Sequence, residues 1–254
     1  MISISQIRAF KTCRRAYELH YIHGVIPVDK PDALKVGAGY HERIEALYNN
    51  EPIENDYSKE SAMAEAYKKY IYPYLPIAQV EQWIKNDKYI GRIDGITADG
   101  KLVEHKTTSG EIGDEYEYNL QWDEQIPMYM LMTGSRMMYY TVIRKPTIRQ
   151  KQNETAEEYW QRCVDWYDVD TDQKIRYFIV TRTDEEIYQF ERELRRLTFE
   201  IEHTSCYYRN PSWCNVYGRK CDYAPICMNY DPNQSYIGFM KKEREECENA
   251  DSEI

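Results

Sequence analysis

The stretch GRIDGITADGKLVEHKTT, residues 91–108, constrains this chain more tightly than any other segment. Apolar residues flank Asp99-Gly100, the strongest short signal for two antiparallel strands joined by a tight turn. Yet Asp94, Glu104 and Lys106 interrupt the apolar runs, where charge is usually excluded. Side chains alternate faces along a strand, so Glu104 and Lys106 share one face. With Asp99-Gly100 as the centre of the turn, Glu104 falls near Gly95, and Asp94 is adjacent or diagonal to it. Carboxylates that close repel, and one is driven neutral unless a cation lies between them. Hard oxygen ligands of this kind suit Mg²⁺ or Mn²⁺. A lysine beside them can stabilise negative charge or orient an attacking water, the set needed for metal-assisted phosphodiester hydrolysis. The three residues alone also read as a solvated hairpin face with an ordinary cross-strand ion pair.

The rest of the chain bounds what that hairpin belongs to. With 254 residues, 42% hydrophobic and 30% charged, it reads as one soluble domain with ample core. No apolar run reaches the roughly 20 residues of a membrane helix. The opening MISISQIRAFKTCRR has neither the apolar stretch nor the cleavage site of a secretory signal. A cytoplasmic location with reduced thiols is therefore expected. The net charge of −10 argues against a nucleic-acid partner only weakly, because local charge and bound metal decide such binding. The 25 tyrosines read as amphipathic core and surface filler, with a few available to stack on bases.

Periodicity predicts a capped helix from SISQIRAF to Gly24, a second from about Val36, and a third over SKESAMAEAYKKYIYPYL. AQVEQWIKN and the hairpin read as strands. YNLQWDEQIPMYMLMTG reads as a helix in which Pro127 is a kink or a turn, followed by the strand RMMYYTVIRK. Residues 146–173 look like a polar insertion with one helix. IRYFIVTRT is then a strand, and Thr183 with Glu186 opens a long helix toward His203. The expected organisation is a single domain over 1–254. It comprises an N-terminal helix (1–35), a catalytic core (36–145), the insertion (146–173), a completing segment with a cysteine-rich end (174–230) and an acidic tail (231–254). Helices before and after a central hairpin predict an α/β fold, a mixed sheet flanked by helices.

Two further patterns add to the hairpin: Gly37-x-x-x-His41 upstream and Gln125-x-x-x-Tyr129 downstream. Each alone says little. In order, Gly37-x-x-x-His41, Gly91-x-x-Asp94, Glu104-x-Lys106 and Gln125-x-x-x-Tyr129 resemble the RecB-type branch of the PD-(D/E)XK nucleases, as does the opening SISQIRAFKTCRRAYELHY. The resemblance implies a restriction-endonuclease-like core and a Mg²⁺- or Mn²⁺-dependent DNA exonuclease acting on single strands or DNA ends. It makes His41, Asp94, Glu104 and the backbone carbonyl of His105 metal ligands and Lys106 the catalytic lysine. Gln125 and Tyr129 would position the strand and the lysine, and Glu81 matches an acid common in relatives. A decayed nucleic-acid-binding or assembly subunit and a DNA endonuclease are the alternatives. With no Walker pattern here, unwinding would come from a partner such as a helicase, recombinase or CRISPR-adaptation protein. An oligomer has no sequence signature.

Seven cysteines in a reducing compartment argue against disulfides. Cys214-x6-Cys221-x5-Cys227 is clustered near the end, and Cys13 lies near the start. Four thiolates hold zinc or an iron–sulfur cluster, and spacing alone favours neither. The family resemblance implies [4Fe–4S] rather than zinc, stapling the cysteine-rich segment to the first helix. Family members commonly have CxxC-x5-C, so the longer first gap leaves Cys206 as a substitute for Cys214. Cys163 and Cys247 are read as structural or free thiols.

Overall fold

The computed structural model describes residues 1–29, 32–216 and 218–242. Contacts divide them into two units, one of Asp32–Ile84 with Arg92–Tyr188 and one of the remaining described residues. Cys247 and the tail from residue 243 lie outside the described residues.

In the unit that opens the chain, the Ser3 hydroxyl accepts from Gln6 N at 3.2 Å and caps α1 (Ile4–Thr12). Periodicity predicts one helix to Gly24, but the helix breaks at Cys13, whose backbone is extended. It resumes as α2 (Arg14–Tyr17) and a π-helical turn, Glu18–Ile22. The break has a tertiary cause: Cys13 Sγ accepts from the Asn210 amide at 3.4 Å. β1 (Val25–Pro27) pairs antiparallel with the short strand Phe239–Lys241. Leu19, Val25, Tyr223 and Ile226 form a small core beneath them.

The other unit is built on a mixed sheet, as the sequence predicts. α3 (Asp32–Tyr48) and α4 (Lys59–Tyr70) precede β2 (Gln79–Lys85), β3 (Ile90–Ile96) and β4 (Leu102–Thr108). Then come α5 (Asp114–Asn119), α6 (Gln125–Thr133), β5 (Met137–Arg144), α7 (Ala156–Asp165), β6 (Ile175–Thr181) and α8 (Asp184–His203). The five-stranded sheet has the order β2-β3-β4-β5-β6. β3 and β4 are antiparallel, β4 and β5 parallel, and β5 and β6 antiparallel. A parallel pair needs a crossover, which α5 and α6 supply. Pro127 sits in the first turn of α6, where a missing N–H removes no helical bond.

Tyr40, Ile44, Met63, Tyr67, Val103 and Ile143 form a core cluster in this unit, and Tyr167 joins them. The polar segment 146–173 is therefore part of the packing: the Tyr167 hydroxyl donates to Arg144 O at 2.6 Å. Thr155 and Glu158 close a capping box at the start of α7, and Thr183 and Glu186 do the same for α8.

The central turn differs from the expected one, with consequences for the site. Thr97 N donates to Lys101 O at 2.9 Å, so Ala98, Asp99 and Gly100 form a three-residue loop. Gly100 takes the left-handed conformation, φ 78°, that such loops require. One extra residue moves the register, so that Gly95 pairs with Val103 and Ile96 with Leu102. Asp94 thereby comes opposite Glu104 rather than diagonal to it. Gly95 is itself required, because a Cβ there would lie 2.8 Å from Ile77 Cγ2. Among the described residues, no helix is long and apolar enough to cross a membrane.

Candidate active site

The β3–β4 ladder ends at the Gly95–Val103 pair, and Asp94 continues it with its side chain. Asp94 Oδ2 accepts from His105 N at 2.6 Å. Its other oxygen, Oδ1, lies 3.4 Å from His41 Nδ1, presented by α3. Glu81 of β2 joins them: ligand atoms of His41, Glu81 and Asp94 all lie within 4.8 Å of one another. Glu81 reaches that point from strained backbone, φ 50°, a conformation in which non-glycine residues are uncommon. Arg92, two residues before Asp94 on β3, holds it, with Nε 2.7 Å from Glu81 Oε2. A polar cavity of about 410 Å³ opens beside this pair, lined also by Glu45 and Asn49.

Glu104 stands outside that trio but is the most enclosed acid of the site, 2% exposed. Its Oε1 accepts from Lys106 Nζ and from Gln125 Nε2, the latter at 2.8 Å. Its Oε2 is buried with no hydrogen-bond partner. A buried carboxylate oxygen without a donor is costly unless something else neutralises it. Gln125 Nε2 also donates to Tyr129 Oη at 3.1 Å, so α6 clamps the carboxylate through one amide. The i, i+4 spacing that links Gln125 and Tyr129 in the sequence is thus realised on one helix face. His105 turns its ring into the core: Nδ1 meets Thr141 Oγ1 at 2.6 Å, and the ring packs edge-on against Tyr67.

The electrostatics follow from enclosing three acids together. Burial, reinforced by the Asp94 charge, pushes the Glu104 carboxyl up to about 8 against the pull of Lys106. Burial and Asp94 likewise raise Glu81 to about 7, opposed by Arg92. Burial would raise Asp94 too, but the His41, His105 and Lys106 charges outweigh it and hold Asp94 well below the usual carboxylate range. Burial opposes the charged form of His41, yet the adjacent Asp94 prevails and raises it. Burial lowers His105 to about 4. For Lys106, burial is again outweighed by the Glu104 and Asp94 charges, and the ammonium is held.

These shifts carry a sign for stability. Glu81, Glu104 and His41 have folded values above their unfolded ones, so their stabilising contribution is lost as pH rises through the folded values. Asp94 and His105 run the other way, but their windows close by about pH 4 and 6.5, their unfolded values. Between about pH 6.5 and 8.5 the metal-free protein should therefore melt at progressively lower temperature, by about 2–4 °C for each kcal/mol lost. Mn²⁺ should raise the midpoint more at the upper end of that range. Thermal melts in EDTA and in Mn²⁺ test this, and a flat profile would place the acids apart.

Sequence reasoning missed Arg92, the partner of Glu81, and Asp123, whose Oδ1 accepts from Gln125 N at 2.9 Å and sets the start of α6. Arg92 shares a strand face with Asp94, a two-residue spacing that was available as a signal. Thr141, which orients His105, carries none.

Comparison with family models matches residues 1–90 and 88–228 to the PD-(D/E)XK nuclease superfamily. The chain belongs to that superfamily. Among solved structures it is similar to a phage-related exonuclease from Haemophilus somnus 129PT, at 14% identity, covering 74% of this chain and 94% of that one with a TM-score of 0.38. It is also similar to an alkaline exonuclease from Laribacter hongkongensis, at 14% identity, covering 67% and 86% with a TM-score of 0.36. No curated protein matches the sequence.

Cys13, Cys206, Cys214, Cys221 and Cys227 lie in the other unit, whereas Cys163 belongs to the unit of the sheet. Cys13 and Cys214 both contact Asn210, through its amide nitrogen and its carbonyl at 3.4 and 3.7 Å, and Cys221 N donates to Cys214 O at 3.0 Å. Burial raises the Cys221 and Cys227 thiols, with smaller contributions from Cys13 and Cys214. Among the described residues, no three of their sulfurs lie within 4.8 Å of one another. A tetrahedral zinc ion with Zn–S bonds of about 2.3 Å would draw its sulfurs to about 3.8 Å. The thiols are thus not gathered as a single zinc ion would gather them. Cys206 is exposed and Cys163 buried.

Proposed function

We propose that this chain is a Mg²⁺- or Mn²⁺-dependent deoxyribonuclease of the RecB-like branch, an exonuclease acting on single strands or DNA ends. The observation that carries this reading is the buried Glu104, clamped by Lys106 and Gln125 with one oxygen unpartnered, opposite an Asp94 on which His41 and Glu81 converge. One imidazole nitrogen and several carboxylate oxygens form the hard donor set that suits these ions. His41, Glu81, Asp94 and Glu104, with the His105 carbonyl, would hold the metal. When bound, such an ion polarises a phosphoryl oxygen and lowers the pKa of water.

The chain's own groups account for the rest. Lys106, kept charged by Glu104, is aimed to stabilise the negative charge that grows on the phosphate. Gln125 fixes the Glu104 carboxylate and the Tyr129 hydroxyl, so α6 sets the geometry of both. Mg²⁺-dependent loss of end-labelled linear single strands, with closed circular DNA of the same sequence left intact, is the expected result. Cleavage of the circle would make the enzyme an endonuclease. Protein inert on every DNA would make it a binding or assembly subunit.

Cys13, Cys214, Cys221 and Cys227 are the ligand set for a [4Fe–4S] cluster. The four cysteines share one unit, and Cys13 and Cys214 meet at Asn210, which supports this ligand set. Anaerobically purified protein should be brown and contain iron and acid-labile sulfide in equal amounts. Colourless protein with stoichiometric zinc would refute this assignment.

A further inference from the structure

The hydrolytic site leaves one surface of the chain's opening unit unexplained. Residues 203–221 hold Arg209, Arg219 and Lys220 and no acid, although the chain has 43 aspartates and glutamates. Residues 1–17 hold four cations and again no acid. These two stretches, nearly 200 positions apart, are joined directly. Arg15 N donates to Tyr208 O at 3.1 Å, and Asn210 Nδ2 donates to Thr12 O at 2.8 Å. Arg14 and Arg15 are neutralised by Glu200, at 3.0 Å, and Glu18. Arg209, Arg219 and Lys220 are exposed, and Arg219 has only a surface contact to Asp222 at 3.5 Å.

Two exposed aromatic rings belong to the same stretch. Tyr208 is 58% exposed although the Arg14 guanidinium lies 5.1 Å from its ring centre, so one side of the ring is backed and held while much of it faces solvent. Trp213 is 49% exposed at the end of a helical turn, Pro211–Trp213, that Asn210 caps. Single exposed rings are ordinary on a surface, but Tyr208 and Trp213 fall together in the stretch that carries these cations and no carboxylate. A positive surface carrying aromatic platforms has the chemistry of single-stranded nucleic acid binding.

We propose that this surface binds single-stranded DNA, with Tyr208 and Trp213 stacking on bases and Arg209, Arg219 and Lys220 contacting phosphates. The choice of DNA rests on the reading of the other unit as a deoxyribonuclease; the charge and the platforms do not. Paired bases hide their faces in the duplex stack, so the rings select an unpaired strand. In a chain of net charge −10, a segment without carboxylates is where a polyanion can approach.

The test is fluorescence anisotropy of a labelled oligothymidylate in EDTA, where hydrolysis cannot intervene. Tyr208→Ala with Trp213→Ala should weaken binding at least tenfold, since stacking on each ring contributes substantially. Arg209→Gln with Lys220→Gln, both at exposed positions, should reduce the slope of log affinity against log salt by about 1.4. Melting temperature and the visible spectrum must match wild type in each variant, which separates lost binding from lost folding. Because binding is read in EDTA, this result stands even if no hydrolysis is found. Wild-type protein that fails to bind, folded variants that bind normally, or a duplex bound equally tightly through the same residues would each overturn the proposal.

Discussion

Lys106→Ala should lower the rate of DNA hydrolysis by about 10²–10³-fold, the usual consequence of removing one preorganised charge-stabilising donor. The expectation rests on how firmly that ammonium is held. Lys106 is bound to Glu104, which is itself fixed by Gln125 and by the crossover helix α6. The Glu104 and Asp94 charges keep it protonated, so across neutral pH it is a fixed positive charge rather than a proton carrier. Lys106→Arg should recover little, because a planar fork cannot occupy the position of a compact ammonium against the same carboxylate. Removal of the lysine also leaves Glu104 with burial and Asp94 both favouring its neutral form. Calorimetry should therefore show weaker Mn²⁺ binding near pH 7 that recovers as the pH is raised. A variant within tenfold of wild type on end-labelled DNA would remove Lys106 from the chemistry.

What the sequence made legible was whatever local pattern enforces. Strand alternation around Asp99-Gly100 placed Glu104 and Lys106 on one face, and the i, i+4 spacing placed Gln125 beside Tyr129. Capping boxes announced the start of α8. Register stayed open in the sequence, because a three-residue loop and a two-residue loop look alike when the glycine is the same. That single step decides whether Asp94 is diagonal to Glu104 or opposite it. The convergence of Glu81 on His41 and Asp94 depends on a positive φ that no β-strand pattern encodes. Similarly, the extended Cys13 interrupts a helix whose periodicity continues on both sides, because a contact almost 200 residues away outweighs local preference. Residues 146–173 read from their polarity as an insertion with one helix. Within them Tyr167 lies in the core, with Trp166 packed against it.

Asp94→Asn should abolish metal binding while keeping the hairpin intact, and it separates ligand chemistry from scaffold better than any larger change. An asparagine carbonyl can still accept from His105 N, the bond that now measures 2.6 Å and closes the end of the β3–β4 ladder. The other arm becomes an NH₂ group facing His41, where Asp94 Oδ1 now lies 3.4 Å away, and an amide nitrogen cannot ligate Mg²⁺ or Mn²⁺. Loss of a directly ligating carboxylate should exceed the 10–100-fold cost typical of outer-shell changes, so Mn²⁺ affinity should fall by more than about 100-fold. Hydrolysis should fall at least as far. The variant should also melt below wild type in EDTA at neutral pH, since the fold favours ionised Asp94 through the neighbouring His41 and Lys106 charges and a neutral amide forfeits that. Glu104→Gln should show the opposite, with little or no loss of stability in EDTA near pH 8, because the fold favours the neutral form of that side chain. Calorimetry with Mn²⁺, melts in EDTA and a far-ultraviolet spectrum on both variants test the pair. If Asp94→Asn bound Mn²⁺ as wild type does, the converging trio would be an ion-pair network and Glu104 alone would remain as a candidate ligand.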